Sequence, residues 1–358
     1  MKYVDEFNDR KIVGKIASEI SALKVSANIM EVCGTHTSSI FRHGIRDLLP
    51  SGVRLLTGPG CPVCVTSQSD IDSMIGLCEI EDAVIATFGD MMRVPGSSGS
   101  LAAKRAEGAQ VRPVYSPTDA LEIAVRERDR KVIFLGVGFE TTAPAVAATI
   151  IAAGEKGLNN FWVYSAHKIM PPAIRAILSA DEIRIDGLML PGHVSTILGP
   201  KPYEFINVPS VIAGFEPMDI MLSIHMLLKQ IKTGEKPRVG NEYGRAVRPG
   251  GNEKAKKVMN EVFETGDAEW RGFGLIPGSG LDIKKKYGRF DAKKAFGAVA
   301  VAGGAGKTAC ICGQILRGLK TPKDCSLFGS ACTPDKPVGP CMVSSEGACS
   351  TYYKYGAR

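Results

Sequence analysis

From Asn28 to Glu216 the chain repeats one phrase: a short apolar, often β-branched run, then a loop rich in Gly, Pro, Thr or His, then a helix-like stretch. The apolar runs cover 29–32, 53–56, 83–87, 131–137, 161–164, 187–190 and 210–213. They show little polar alternation, which suits strands buried on both faces of a parallel sheet. Helix-like segments such as 118–130 and 172–179 lie between them, opened by Pro or by Asp and Thr. This βαβ rhythm predicts a doubly wound α/β architecture. Three runs precede Ser116 and four begin at or after Lys131. The expected organisation is therefore two similar α/β lobes, residues 1–116 and 117–245. A helix over 218–231 then gives way to Gly, Lys and Pro, and 246–358 reads as a loop-rich third domain. Its last fifty residues have few apolar runs, so a metal is expected to supply their cross-links.

Ligands of open parallel sheets sit outside the carboxyl ends of the strands, and the reactive residues of this chain fall there. The first runs lead into Cys33-Gly-Thr-His36, Gly58-Pro-Gly-Cys61-Pro-Val-Cys64 and Gly89-Asp90. The later ones lead into Gly138-Phe-Glu140-Thr141-Thr142, Ser165-Ala-His167-Lys168, Pro191-Gly-His193 and Gly214-Phe-Glu216.

Composition narrows the chemistry. The chain has 358 residues, 44% hydrophobic and 23% charged, the balance of an ordinary globular protein. The net charge of +7 is scattered apart from short clusters at 254–257 and 284–286, and only two Trp and nine Tyr accompany it. A nucleic-acid face is not expected. The most apolar stretch, 132–154, is broken by Glu140, Pro144 and glycines, so no membrane span is expected either. The first ten residues mix acids and bases and lack the apolar core of an export signal. Ten cysteines in such a chain point to free thiols in a reducing cytoplasm rather than to a disulfide framework.

Those cysteines are unevenly placed. Cys33, Cys61, Cys64 and Cys78 lie in the first quarter; Cys310, Cys312, Cys325, Cys332, Cys341 and Cys349 lie in the last fifty residues. Two thiol centres are the economical reading. Cys61 and Cys64 can chelate one metal from a tight turn or close a reversible disulfide. Cys33 precedes a helix expected to begin at Thr37 or Ser38, where the helix N-terminus should lower the thiol pKa. His36 is a candidate ligand, proton carrier or orienting group. Glu140, Thr141 and Thr142 can coordinate, hydrogen-bond a polar ligand, or cap the following helix, with one threonine assigned to capping. Cys78 reads as core. The C-terminal thiols lack zinc-ribbon knuckles and the bacterial ferredoxin run, yet suit a cubane cluster, with zinc as its rival. The segment 301–308 imitates a phosphate loop but has Val301 where that pattern requires Gly.

Taken together, Cys33-Gly-Thr-His36, Gly58-Pro-Gly-Cys61-Pro-Val-Cys64, Gly138-Phe-Glu-Thr-Thr142 and Cys341-Met-Val-Ser-Ser-Glu-Gly-Ala-Cys349 resemble the HypD family of [NiFe]-hydrogenase maturation factors. The resemblance implies a cytoplasmic scaffold with two α/β lobes and a [4Fe-4S] cluster domain. It implies that a HypC chaperone helps hold a single iron while CO and cyanide ligands are attached. Cyanide would come from HypE, and the Fe(CN)2CO unit would pass to the hydrogenase large subunit. By the same resemblance Cys33 would ligate the iron, His36 would sit beside it, and Cys61 and Cys64 would form a dithiol/disulfide pair or alternative ligands. Cys325, Cys332, Cys341 and Cys349 would hold the cluster, with Cys312 an alternative to one of them. The competing expectation is a cluster-linked thiol–disulfide oxidoreductase of the ferredoxin–thioredoxin reductase type.

Overall fold

All seven apolar runs form strands in the computed structural model, which describes Phe7, residues 9–180, Glu182, and residues 184–297 and 309–356. The phosphate-loop-like segment 301–308 lies outside the described residues. The strands are β1 (Ala27–Glu31), β2 (Val53–Thr57), β3 (Ala83–Thr87), β4 (Gln110–Pro113), β5 (Lys131–Gly136), β6 (Phe161–Ser165), β7 (Gly187–Pro191), β8 (Ser210–Ala213), β9 (Val239–Asn241), β10 (Phe263–Trp270) and β11 (Gly274–Ile283). The helices between them start where the sequence offers caps. Ser116 closes a capping box with Asp119 ahead of the helix Pro117–Arg126, whose first residue is the proline that a helix N-terminus tolerates.

The strands make two parallel sheets, in the orders β2-β1-β7-β8-β9 and β4-β3-β5-β6, plus the antiparallel pair β10-β11. The doubly wound α/β expectation holds, but the chain does not divide at residue 116. It leaves the first sheet after β2, builds the whole second sheet from β3 to β6, and returns to the first with β7. The physical reason is the burial of β3. All five of its residues are buried, so it needs a neighbour on each edge, and β4 and β5 supply them.

The third domain expected over 246–358 is also split. The helix Glu253–Val262 packs on the helix Ala143–Glu155 of the second sheet. β11 is tied to the same unit, with Ser279 O accepting from Ile169 N (2.8 Å) and Leu281 O accepting from Ser165 Oγ (2.7 Å). The last stretch instead packs the helix Ala348–Tyr355 on the helix Gly34–Arg42 of the first sheet, with Phe41 and Tyr352 ring centroids 4.4 Å apart. Among the described residues no helix is long and apolar enough to cross a membrane.

The tip of the β10-β11 hairpin joins these units. Trp270 is fully buried, donates from Nε1 to Ser279 Oγ (2.8 Å), stacks on Phe139 (5.9 Å) and bridges to Thr66, just past Cys64. Replacing Trp270 by Ala removes this anchor. The expected loss is about 3–5 kcal/mol of stability, read as a lower urea midpoint at unchanged slope.

Candidate metal centre

The order of the first sheet gathers the unusual loops. Chain order runs one way from β1 to β2 and the other way through β7, β8 and β9. A crevice therefore opens outside the carboxyl ends of β1 and β7, the topological switch point of such sheets. The loops carrying Cys33, Cys61 and Cys64, His193 and Glu216 follow β1, β2, β7 and β8, so four adjacent strands deliver them to one edge.

Cys33 is itself the N-cap of the helix Gly34–Arg42, which starts earlier than the sequence suggests. The Gly34 N–H donates to Gly60 O at 3.1 Å. A Cβ on Gly60 would fall 2.2 Å from the Cys33 N and Cα, so only glycine permits this approach. The Cys33 thiol is not acidified. Burial pushes it up to about 12, and the nearby Glu346 carboxylate adds to the rise. Hydrogen bonds from the His36 and Thr35 backbone oppose this; the helix N-terminus acts in the expected direction but loses to desolvation. Glu346 is held over the site by Thr35, whose Oγ1 donates to it at 2.5 Å.

Cys61 caps the short helix Pro62–Val65, accepts a hydrogen bond from the Cys64 N–H (3.2 Å), and is joined to Cys64 as a disulfide. Both are buried. His36, fully buried, donates from Nε2 to Gly214 O (3.0 Å) and lies 3.3 Å from Ala213 O. Carbonyl oxygens only accept, so the proton is assigned to Nε2, leaving a lone pair on Nδ1 that has no partner. Burial lowers its pKa to about 4, so the ring is neutral near pH 7. Phe215 stacks between His36 (4.9 Å) and His193 (3.9 Å).

Glu140 reaches this edge from the second sheet. Its Oε1 accepts from the Met170 N–H (2.9 Å), its Oε2 has no partner, and burial raises its pKa to about 7. Thr142 stands at the N-cap of the next helix but makes no side-chain cap bond, because it already lies in helical conformation. Thr141 faces solvent. Of the three residues, the structure brings only Glu140 into the buried site. Tyr203, wholly buried, has its hydroxyl against Ser195 and feels the charges of both Glu140 and Cys33. His167 and Lys168 belong elsewhere: Lys168 pairs with Asp70 at 3.2 Å. Cys78 is half-buried at the core margin rather than within it.

The C-terminal thiols also converge. Cys310, Cys325, Cys332, Cys341 and Cys349 line one cavity with Ile315, Leu327, Phe328 and Met342. Cys312 stands outside that lining but hydrogen-bonds with Cys310 and Cys341. Among the described residues no three metal-binding side chains are already set as a cage. The donor set nevertheless fits a thiolate-bound iron group in kind, being soft sulfur in an apolar pocket. Mutual proximity and burial raise Cys310, Cys341 and Cys349, and Cys312 to about 12, a bias that a multivalent cation reverses.

The two thiol centres adjoin. The helix Pro62–Val65 packs against Pro340–Val343, which carries Cys341. Arg271 spans the joint, donating to Thr66 O (3.0 Å) and Gln68 Oε1 (3.1 Å) while its charge reaches Cys310, Cys312 and Cys341.

Comparison with known proteins decides the family. The HypD model, described as the hydrogenase formation hypA family, matches residues 8–356. The chain belongs to the HypD family. It is 46% identical to the hydrogenase maturation factor HypD of Rhizobium leguminosarum bv. viciae, over 99% of this chain and 96% of that protein. To the HypD of Azotobacter vinelandii it is 47% identical, over 99% and 97%.

Several residues at this HypD-family site were not singled out by sequence reasoning. Glu31 is a carboxylate in a buried strand, receiving Thr37 Oγ1 (2.9 Å), Thr57 Oγ1 (3.1 Å) and the Gly58 N–H (3.2 Å). An acid at the end of an apolar run was the available signal. Glu346 sits inside the Cys341–Cys349 motif; Tyr203 and Arg271 carry no local signal at all.

Glu140 gives a pH test. With a folded pKa near 7 against an ordinary 4.5, the folded state holds a proton that the unfolded chain releases, so its contribution falls as pH rises between those values. Relative to Glu140→Gln, the wild type should lose roughly 3 kcal/mol between pH 4.5 and 7, at about 1.4 kcal/mol per unit. Urea melts of both proteins across that range measure the difference.

Proposed function

We propose that this protein is a hydrogenase maturation scaffold that holds a single iron atom while cyanide and carbon monoxide are attached to it. The observation that carries this reading is the seating of Cys33 at the switch point of the first sheet, with Gly60 against its backbone and Cys61 and Cys64 on the same loop. Relatives named as hydrogenase maturation factors, alike over nearly the whole chain, support it.

In this reading the iron is cargo. Cys33 is the ligand this chain contributes, and a cysteine of a HypC-type chaperone completes the grip. Burial keeps the Cys33 thiol protonated in the absence of a cation. Iron binding displaces that proton, giving the thiolate that low-spin iron accepts. His36 stays neutral, fixed by Gly214 O, and offers the Nδ1 lone pair. Cys61 and Cys64 alternate between disulfide and dithiol, a change that takes up two electrons and two protons. Cys325, Cys332, Cys341 and Cys349 would hold a [4Fe-4S] cluster, with Cys310 and Cys312 beside them. Such a cluster supplies single electrons when bound. Cyanide would arrive from a HypE-type donor, and the finished unit would pass to the hydrogenase large subunit in the cytoplasm.

The Cys61–Cys64 disulfide also suits a thiol–disulfide oxidoreductase, and one variant separates the two readings. Cys33→Ala, isolated anaerobically with the chaperone, should lose the lone iron while keeping the cluster's visible absorption. Loss of both signals together contradicts two separate centres. Undiminished iron with sustained disulfide turnover favours the reductase.

A further inference from the structure

We propose that the cavity between the helices Arg10–Leu23, Gly34–Arg42 and Ala348–Tyr355 is a docking site for a segment of a partner protein that alternates acidic and apolar residues. Its lining contains no cysteine and shares no residue with the thiol cavity, so the proposal stands independently of the iron reading.

Charge and an unsatisfied cation carry it. The cavity has a volume of about 940 Å³, at the upper end of ligand-sized clefts. Arg10, Arg42, Arg46 and Lys323 line it against one carboxylate, Asp47. Arg46 is the informative member. Its Nε and Nη2 are buried and have no hydrogen-bond partner. The centre of its guanidinium lies 4.7 Å from the middle of the Phe41 ring and 5.8 Å from that of Tyr352. Stacking on rings uses the flat face of a guanidinium and none of its N–H donors. Glu31 feels the Arg46 charge but does not accept those donors; its oxygens receive Thr37, Thr57 and the Gly58 N–H instead. A buried donor fork without an acceptor calls for one, and a carboxylate matches its geometry.

The walls select among anions. The cations come from three separate parts of the chain: Arg10 opens the first helix, Arg42 and Arg46 lie at and just past the end of the second, and Lys323 belongs to the turn Pro322–Asp324. The helices Gly34–Arg42 and Ala348–Tyr355 present their C-terminal residues to the cavity. The partial negative charge of those ends disfavours a compact dianion such as phosphate, whereas separated carboxylates can each meet a cation. Between the charges Phe41, Tyr352, Tyr355 and Leu48 supply apolar wall, and Leu48 is left 39% exposed. Such a surface is complementary to carboxylates interleaved with apolar side chains. A segment seated there would bridge the helix capped by Cys33 and the helix that carries Cys349.

Fluorescence anisotropy of the full chain, isolated anaerobically, against a labelled short peptide of alternating glutamate and leucine tests this. The peptide should bind about tenfold or more tightly than its glutamine counterpart, and carbodiimide should couple its carboxylates to Lys323. Arg46→Met, which keeps the stem against Phe41, should weaken binding about tenfold. Arg10→Gln with Arg42→Gln, both at exposed positions, should weaken it by roughly twofold to fivefold. Equal binding of the two peptides, coupling only at other lysines, or unchanged affinity in Arg46→Met overturns the docking site. Displacement of the peptide by millimolar inorganic phosphate assigns the cavity to a compact anion and overturns it too. If Arg46→Met fails to fold, the exposed double variant decides, and unchanged affinity there overturns the proposal.

Discussion

The site is built on a close approach of two backbones. The loop after β2 crosses the loop after β1 with Gly60 against Cys33, and the Gly34 N–H to Gly60 O bond fixes their spacing. No side chain fits between them, so the position of Cys33 relative to Cys61 and Cys64 is set by main chain rather than by flexible rotamers. The sheet order supplies the rest. Because β1 lies between β2 and β7, one strand end meets the dithiol loop on one side and the His193 loop on the other.

Burial governs the chemistry of the groups so assembled. Desolvation raises the Cys33 thiol and the Glu31 and Glu140 carboxyls, and lowers His36. All four move toward their neutral forms. A site of neutral groups around a thiol accepts a cation by releasing a proton, so the affinity for metal is coupled to pH. Cys310, Cys312, Cys341 and Cys349 follow the same logic, with the proximity of neighbouring thiols added to burial.

Much of this was legible in the sequence, for a physical reason. Strands buried on both faces must be continuously apolar, so seven of them stand out, and their loops point to the site. Pairing is not written the same way. Nothing in the apolar runs says that β3 prefers β5 to β2, and the lobe boundary at residue 116 fails for that reason. The short strands β4 and β9 are partly exposed, while β10 and β11 are rich in charge, Gly and Pro. Such pairs are stabilised by what they pack on, so local pattern misses them. The acidity expected of Cys33 failed because helix position can be read locally and depth of burial cannot. Glu346, Tyr203 and Arg271 reach the thiols only through tertiary packing.

The central claim is that this chain carries two adjacent sulfur centres with different iron. Mössbauer spectroscopy of iron-57-enriched protein, prepared without oxygen alongside its chaperone, tests it most directly. The account predicts two resolved environments: tetrahedral cluster iron and a separate low-spin site present at about one atom per chain. A single environment, or no bound iron at all, contradicts it.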